Sequence, residues 1–326
     1  MGSIDIRTKL YQMFILGLEG GKYDYALKSG LGGIILFSND IKSAKQLISL
    51  TQELKSQALI APFISIDQEG GRVERTENIH GGKKYLSAKY AYERGEDFLK
   101  IQTASIAKEL VSYGINLNFA PCVDVNTNPN NPIIGERAFS NNTEDVIKGE
   151  QIVSQTYRDN GIIPCVKHFP GHGDANADSH LTLPKIDMPF EELERYHIAP
   201  FKAAIKNGIE MIMVAHLNVP CFCEEGIPTS LSENAIKYLR DKLGFKGVII
   251  SDDMVMKGVA DFGEVEACVM GIKAGLNMFI YRYSDEKTVN IIETVAKIAE
   301  SDVKLKENIE KSYQLILKLK QEKKIL

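Results

Sequence analysis

The segment IIPCVKHFPGHGDANADSH, residues 162–180, joins an apolar run to a loop rich in ionisable groups. Residues 162–166 are continuously apolar, which predicts a strand buried on both faces. Regular structure then breaks at Pro170, Gly171 and Gly173. The segment also holds three of the six histidines of the chain. A buried strand that opens into a glycine-containing loop of titratable side chains indicates a candidate active site.

Seven further runs of the same kind occur along the chain, so eight buried strands are predicted. They cover residues 13–18, 33–37, 63–67, 116–123, 163–168, 211–216, 248–252 and 278–281. Most are continuously apolar, as in parallel sheets that are covered on both faces.

Helical patterns separate these strands. Asn39 is predicted to cap a helix over residues 41–59. Other helices are predicted over 88–113, 143–160, 190–207, 233–243, 264–274 and 285–300, several of them ending at a glycine. A last amphipathic helix over 302–326 is expected to place Val303, Ile309, Ile316 and Leu319 on one face and its lysines in solvent.

Alternating strands and helices with short connections require parallel strands and right-handed crossovers. Eight such units predict a single-domain (β/α)8 TIM-like barrel over residues 1–326, with some irregularity allowed in the first strands. A doubly wound open sheet is the alternative.

The composition narrows the class of protein. The chain has 326 residues, 44% of them hydrophobic and 25% charged, so a globular core is expected. The net charge of -4 gives no basic face for nucleic acid. No apolar run is long enough for a membrane span, and the amino terminus lacks the features of a signal peptide. The five cysteines form an odd set without framework spacing, which favours reduced thiols and a cytoplasmic protein. A monomer is favoured.

Polar side chains collect where the predicted strands end. In a barrel of this kind, the active site lies at the carboxyl ends of the strands. The residues at those ends are Asp67 with the following QEGGR, Asp124 and Asn126 with the loop 131–137, Lys167 and His168, His216, and Asp252 with Asp253. The clustering supports both the barrel and a site for a polar ligand.

Asp252 and Asp253 are candidates for a carboxylate that acts on a glycoside. A retaining glycosidase needs one carboxylate as nucleophile. Adjacent strand residues point to opposite faces, so one of the two is expected to enter the mouth and the other to bind a loop or a cap. The spacing does not choose between them, and both could instead cap a helix over 254–260.

Asp178 and His180 are candidates for the second catalytic group. An Asp two residues before a His in an extended loop can accept the imidazole N–H and fix its tautomer. A chance pair on a surface loop is the alternative. A zinc site formed by His168, His172 and His180 is disfavoured, because Pro170 and Gly171 prevent the helix that usually brings such histidines together. No metal or cofactor is expected.

The motifs KHFPGHGD with DSH and LP, DQEGGRV, and ISDDM together resemble glycoside hydrolase family 3, and within it the bacterial β-N-acetylglucosaminidases of peptidoglycan recycling. The resemblance extends over residues 12–281. It implies a TIM-like barrel and a retaining exo-hydrolase that removes terminal N-acetylglucosamine from β-glycosides of peptidoglycan fragments.

The resemblance also implies the roles of single residues. Asp252 matches the nucleophile, and His180 assisted by Asp178 matches the general acid/base. The residues that match those holding the sugar hydroxyls are Asp67, Arg137, Lys167 and His168. Arg72 is expected either to contact the sugar or to brace its loop.

Many family members carry an additional α/β sandwich domain that supplies the acid/base, and this chain is expected to supply it from the barrel. A neutral histidine base would also tolerate an anionic acceptor. Phosphorolysis with the same residues therefore stays open, as does a β-glucosidase-like hydrolase.

Overall fold

The protein forms a closed barrel of eight parallel strands. The computed structural model describes residues 4–175, 183–224 and 226–326. Each strand pairs with the next along the chain, and the last pairs with the first. The strands are β1 Phe14–Glu19, β2 Gly33–Leu36, β3 Phe63–Ile66, β4 Leu117–Asn118, β5 Ile163–Phe169, β6 Met211–Val214, β7 Val248–Asp253 and β8 Met278–Tyr283. The predicted barrel is confirmed, and the alternative of an open sheet is wrong.

The irregularity allowed for the first strands is found in β1, whose pairing with β8 shifts register between Leu16 and Glu19. The strand β4 is much shorter than predicted. It was predicted over 116–123 but pairs with β3 only at Leu117 and Asn118. Pro121 has no N–H for a ladder, so regular pairing stops before it. The segment nevertheless follows β5, because the Val123 N–H donates to the Lys167 carbonyl at 2.8 Å.

Helices surround the barrel. Their bounds are α1 Ile6–Tyr11, α2 Tyr23–Lys28, α3 Ala44–Gln57, α4 Glu77–His80, α5 Ala88–Glu93, α6 Glu96–Ser112, α7 Thr143–Asp159, α8 Phe190–Glu192, α9 Ala199–Lys206, α10 Glu233–Lys237, α11 Lys257–Ala260, α12 Glu264–Ala274, α13 Glu286–Ser301 and α14 Val303–Glu322. Wider π-helical turns over Leu193–Ile198 and Tyr238–Lys242 continue α8 into α9 and extend α10.

Three helix predictions need correction. The cap of α3 is Ser43, whose hydroxyl accepts from the Gln46 N–H, and Asn39 instead lies in a short 3-10 turn. The predicted helix 88–113 is two helices, because Gly95 adopts a φ of 97° between them. The helix predicted over 254–260 begins only at Lys257, so neither Asp252 nor Asp253 is its N-cap.

The amino-terminal end of the barrel is closed by α14. Ile309, Ile316 and Leu319 of this helix are buried as predicted, whereas Val303 is 72% exposed. Lys304, Lys306, Lys311 and Lys318 are exposed as predicted, whereas Lys320 is fully buried. Its ammonium donates to Gln12 Oε1 at 2.9 Å and to the carbonyls of Gly32 at 2.9 Å and Ala61 at 2.8 Å. A lysine therefore caps backbone carbonyls at the barrel floor.

All five cysteines are free thiols in this structure. Within residues 4–175, 183–224 and 226–326, every helix is too short or too polar to cross a membrane.

Candidate active site

A cavity of about 310 Å³ opens at the carboxyl ends of the barrel strands. Apolar side chains from β2, β6 and β8 contribute to its lining, among them Ile35, Met213 and Ile280. The ionisable side chains that line it are Asp67, Arg72, Arg75, Arg137, Lys167, His168, His172, Asp252, Asp253 and Arg282. The predicted substrate-binding residues and the predicted nucleophile therefore lie in one cavity.

Lys167 and His168 line the cavity together although they are neighbours on β5. Consecutive residues of a regular strand point to opposite faces. The pairing of β5 with β6 shifts register between Val166 and Phe169, and this irregularity frees both residues from strict alternation.

Lys167 is bound by two carboxylates. Its ammonium lies 2.7 Å from Asp67 Oδ1 and 2.6 Å from Glu69 Oε1, and its side chain is 3% exposed. Burial alone would lower the pKa of Lys167, but the two carboxylates outweigh burial and raise that pKa above its usual value. The side chain is therefore a fixed cation.

Glu69 also holds Arg137. The guanidinium donates from Nε to Glu69 Oε2 at 2.9 Å and from Nη2 to Glu69 Oε1 at 2.8 Å, a two-pronged geometry that fixes the plane of the arginine. Burial favours the neutral acid, but Arg137 and Lys167 together hold the pKa of Glu69 well below its usual range. One buried carboxylate thus aligns two predicted substrate-binding cations.

Asp124 orients His168. Its Oδ2 lies 2.6 Å from His168 Nδ1, and its Oδ1 accepts from the backbone N–H of His172 at 2.6 Å. The carboxylate is fully buried, and although burial opposes ionisation, His168 lowers the pKa of Asp124 well below its usual range. Because a carboxylate only accepts, the proton of His168 belongs on Nδ1. Nε2 lies 3.4 Å from Arg137 Nη2.

Asp252 and Asp253 both line the cavity, which corrects the expectation that one would turn away. The pairing of β7 with β8 shifts register between Ile250 and Asp253, so alternation fails here as well. The Asp253 carboxylate binds Arg282 Nε at 2.5 Å and accepts from the Val255 N–H at 3.2 Å. Asp253 therefore does bind a loop, as one of the two was expected to do.

Asp252 is kept ionised. Its Oδ1 accepts from the Asp253 N–H at 2.7 Å. Burial alone would raise the pKa of Asp252, but His168 and His216 outweigh burial and lower that pKa. His216 in turn lies under the strand end, with Nε2 3.1 Å from the Asp253 carbonyl and Nδ1 2.6 Å from Ser230 Oγ. An ionised carboxylate in a cavity of this kind can act as a nucleophile.

Arg72 braces a loop. Its guanidinium donates to the carbonyls of Pro132 at 3.1 Å, of Ile133, and of Ile134 at 3.4 Å. This is one of the two roles expected for it. Asp178 and His180, the predicted acid/base pair, lie outside the described residues.

One group of side chains in the described part of the chain has donor atoms close enough for a metal. The atoms come from Cys122, Asp124 and His168 and lie within 4.8 Å of one another. However, Asp124 Oδ2 already accepts from Cys122 Sγ at 3.2 Å and from His168. These hydrogen bonds account for the grouping, so we assign no metal to it.

Glu69 and Asp124 are site residues to which sequence reasoning assigned no role, and the cavity residues Arg75, His172 and Arg282 were not predicted as site residues. Both carboxylates stand at strand ends that the sequence had marked as polar, Glu69 two residues after Asp67 and Asp124 after the fourth strand. Their partners Arg137 and His168 are distant in sequence, so only the fold shows what these carboxylates hold.

A barrel whose carboxyl end holds an ionised carboxylate and a set of fixed cations and acceptors is an architecture suited to a polar, hydroxyl-rich ligand. Residues 5–319 match the Glycosyl hydrolase family 3 N terminal domain. The chain therefore belongs to glycosyl hydrolase family 3.

Two curated relatives are similar in sequence. The chain is 37% identical over 270 residues to Beta-hexosaminidase A of Pseudoalteromonas piscicida, covering 76% of this chain and 45% of that protein. It is 33% identical over 291 residues to the Beta-hexosaminidase of Methylococcus capsulatus, covering 85% and 83%.

A solved structure extends the likeness to three dimensions. The family 3 β-N-acetylglucosaminidase from Paenibacillus sp. str. FPU-7 superimposes with a TM-score of 0.93 at 32% identity, over 99% of this chain and 63% of that one. The chain thus spans less than two thirds of the Paenibacillus protein and less than half of the Pseudoalteromonas one.

Proposed function

We propose that the protein is a retaining exo-β-N-acetylglucosaminidase that removes terminal N-acetylglucosamine from β-glycosides. The observation that carries the proposal is an ionised Asp252 in the same small cavity as Asp67, Arg137, Lys167 and His168. The names of the similar proteins support an N-acetylhexosamine as the sugar.

The proposed binding mode follows from the contacts around the cavity. Lys167 and Arg137 are donors fixed by Glu69, whereas the Asp67 carboxylate offers acceptors and His168 Nε2 offers a further polar atom. Sugar hydroxyls both donate and accept, so a set of donors and acceptors matches them. The modest volume and the apolar lining from inside the barrel favour one terminal sugar over a chain that passes through.

The proposed first step is displacement at the anomeric carbon. The Asp252 carboxylate forms a bond to this carbon while the bond to the leaving oxygen breaks, and a protonated His180 supplies the proton to that oxygen. In the second step, neutral His180 takes a proton from water, the water oxygen bonds to the anomeric carbon, and Asp252 leaves. Asp178 would stabilise the imidazolium. Two displacements retain the anomeric configuration.

The proposed natural substrates are peptidoglycan fragments. This part of the proposal rests on the resemblance of the KHFPGHGD, DSH, DQEGGRV and ISDDM motifs to the β-N-acetylglucosaminidases of peptidoglycan recycling. Muropeptides that end in N-acetylglucosamine are therefore the natural compounds to assay beside synthetic aryl glycosides.

Hydrolysis of an aryl β-N-acetylglucosaminide tests the proposal directly. We expect release of β-N-acetylglucosamine as the first anomer by NMR, and loss of essentially all turnover in Asp252→Ala. A fluorinated glycosyl inactivator should label the peptide that contains Asp252. Activity of Asp252→Ala at the wild-type level would remove this residue as nucleophile.

The same assay separates the alternatives. Formation of N-acetylglucosamine 1-phosphate in phosphate buffer would indicate a phosphorylase. A higher kcat/KM for the aryl β-glucoside than for the N-acetylglucosaminide would indicate a β-glucosidase. His180→Ala should lose more activity with poor leaving groups than with activated aryl ones, and equal losses would count against an acid role for His180.

A further inference from the structure

Arg282 is a cavity residue that neither the motifs nor the mechanism above uses. It lies near the end of β8, and its Nε donates to Asp253 Oδ2 at 2.5 Å. Its backbone N–H donates to Asp253 Oδ1 at 3.3 Å. The guanidinium carbon lies 5.9 Å from the centroid of the Phe37 ring. The hydrogen bond to Asp253 and the ring of Phe37 thus hold the guanidinium from two sides at the cavity wall, and the backbone contact joins the two strand ends.

The outer part of this guanidinium is unused. An arginine has five N–H donors, four of them on the two terminal amino groups. In the part of the chain that the structure describes, Arg282 Nη1 and Nη2 donate to no protein group. The side chain is 39% exposed and lines the same cavity as Asp252. These donors are therefore available to a bound ligand.

Arg282 lies on the side of the cavity where the anomeric carbon of the sugar is proposed to bind. Its anchor, Asp253, directly follows the proposed nucleophile in the chain, and Arg282 and Asp252 line the same cavity. The groups predicted to hold hydroxyls lie directly after β3, on β5 and in the loop after β4, across the barrel from β8. With the anomeric carbon at Asp252, the nearest ring substituent is the one at C2.

The charge balance indicates the kind of partner. Asp253 already neutralises Arg282, so the free amino groups face the cavity as part of an ion pair of no net charge. Such donors favour a neutral acceptor over an anion. The acetamido carbonyl oxygen is a strong neutral acceptor next to the anomeric carbon of N-acetylglucosamine.

We infer that Arg282 is a specificity-determining residue whose terminal amino groups bind the acetamido oxygen of the substrate, with Asp253 as the residue that positions it. This inference rests on the proposed function and names the group that makes the enzyme select an N-acetylated sugar. A hydrogen bond from a charged donor contributes about 1.5–3 kcal/mol, which corresponds to about 10- to 100-fold in kcat/KM.

The test compares two substrates that differ only at C2, an aryl β-N-acetylglucosaminide and the matching aryl β-glucoside. Arg282→Met should lower kcat/KM about 10- to 100-fold for the first and less than about threefold for the second. Arg282→Lys keeps the charge but not the forked geometry and should fall between wild type and Arg282→Met. Exposed Arg195→Met serves as the matched control and should leave both rates unchanged.

A substitution of Asp253 gives a second test of the inference. Asp253→Asn should shift the ratio of the two kcat/KM values in the same direction as Arg282→Met and by a smaller factor, because it loosens the guanidinium without removing it. Losses that are equal for the two substrates in both variants would show that the pair only stabilises the strand ends, and would overturn the inference. If Arg282→Met is unfolded at the assay temperature, the ratio for Arg282→Lys decides in its place.

A binding experiment separates this inference from the proposed function. In an Asp252→Asn background, calorimetry with free N-acetylglucosamine and free glucose needs no turnover. Selective loss of N-acetylglucosamine binding on adding Arg282→Met supports the role of Arg282 even if no glycoside is hydrolysed. An unchanged ratio of the two affinities contradicts it even if wild-type hydrolysis is rapid.

Discussion

Replacement of Glu69 by Gln tests whether one buried carboxylate holds the cation side of the site together. The wild-type side chain makes three short contacts, two with Arg137 at 2.8 and 2.9 Å and one with Lys167 at 2.6 Å. The side chains of Glu69 and Arg137 are only 4% and 11% exposed. Removing one partner of a buried ion pair costs about 3–5 kcal/mol, because a buried charge is left uncompensated.

The lower end of that range applies here. Lys167 keeps Asp67 at 2.7 Å, and the glutamine keeps one acceptor oxygen. We therefore expect Glu69→Gln to lower the free energy of unfolding by about 3 kcal/mol. We also expect kcat/KM to fall at least about tenfold, since Arg137 and Lys167 lose their alignment.

The pH dependence provides a second check. The pKa of Glu69 is lower in the folded protein than its unfolded value of about 4.3. A depressed folded pKa stabilises the protein above the unfolded value, and that stabilisation is lost as the pH falls through the folded pKa. The difference in unfolding free energy between wild type and Glu69→Gln should be constant from pH 6 to 8, because Glu69 is ionised in both the folded and the unfolded chain there. The difference should shrink below about pH 4.3.

Urea unfolding followed by far-UV circular dichroism suits this measurement, because the chain has no tryptophan. Exposed Glu307→Gln is the matched control and should change stability by less than about 0.5 kcal/mol. A loss below about 1 kcal/mol in Glu69→Gln, with unchanged kcat/KM, would refute the reasoning.

Two further variants probe other parts of the fold. Asp124→Asn should lower kcat/KM about 10- to 100-fold with little change in fold, because an amide no longer fixes the proton of His168 on Nδ1. NMR of the ring nitrogens of His168 should show the altered tautomer. A spectrum like that of the wild type would contradict this prediction. Lys320→Met tests the barrel floor. Burial lowers the pKa of Lys320 to about 7, below its unfolded value, so between about pH 7 and 10 the unfolded chain binds more protons and stability rises with pH. The stability of wild type relative to Lys320→Met, from urea unfolding, should therefore increase from pH 7 to 9, and a constant difference would show that Lys320 is not titrating.

The sequence was sufficient for the architecture because buried parallel strands leave a strong signal. Eight apolar runs in alternation with helices predicted the barrel, and all eight strands were found near their predicted positions. The predicted boundaries of strands and helices were wrong where a single residue interrupts regular backbone structure. Pro121 ends the pairing of β4, and Gly95 divides the helix predicted over 88–113.

The candidate site was predicted in part. Strand ends identified Asp67, Lys167, His168 and Asp252, and the structure brings them into one cavity with Arg137. The carboxylates that hold these residues could not be predicted from the sequence, since Glu69 and its partner Arg137 are 68 positions apart. The register shifts that turn both residues of each adjacent pair into the cavity leave no sequence signal. The acid/base role of Asp178 and His180 stays a prediction.

The pairing of β1 with β8, which closes the barrel, affects how the chain folds. Phe14 of β1 pairs with Phe279 of β8, and Gln12 accepts a hydrogen bond from Lys320 of α14. Contacts between such distant parts of a chain form late and slowly, because loop closure must precede them. Until the last strand and helix are in place, β1 and β7 each present an unpaired edge that invites association with other chains. We therefore expect chains that lack α14 and β8 to depend on chaperones or to aggregate, although they contain nearly every residue of the site.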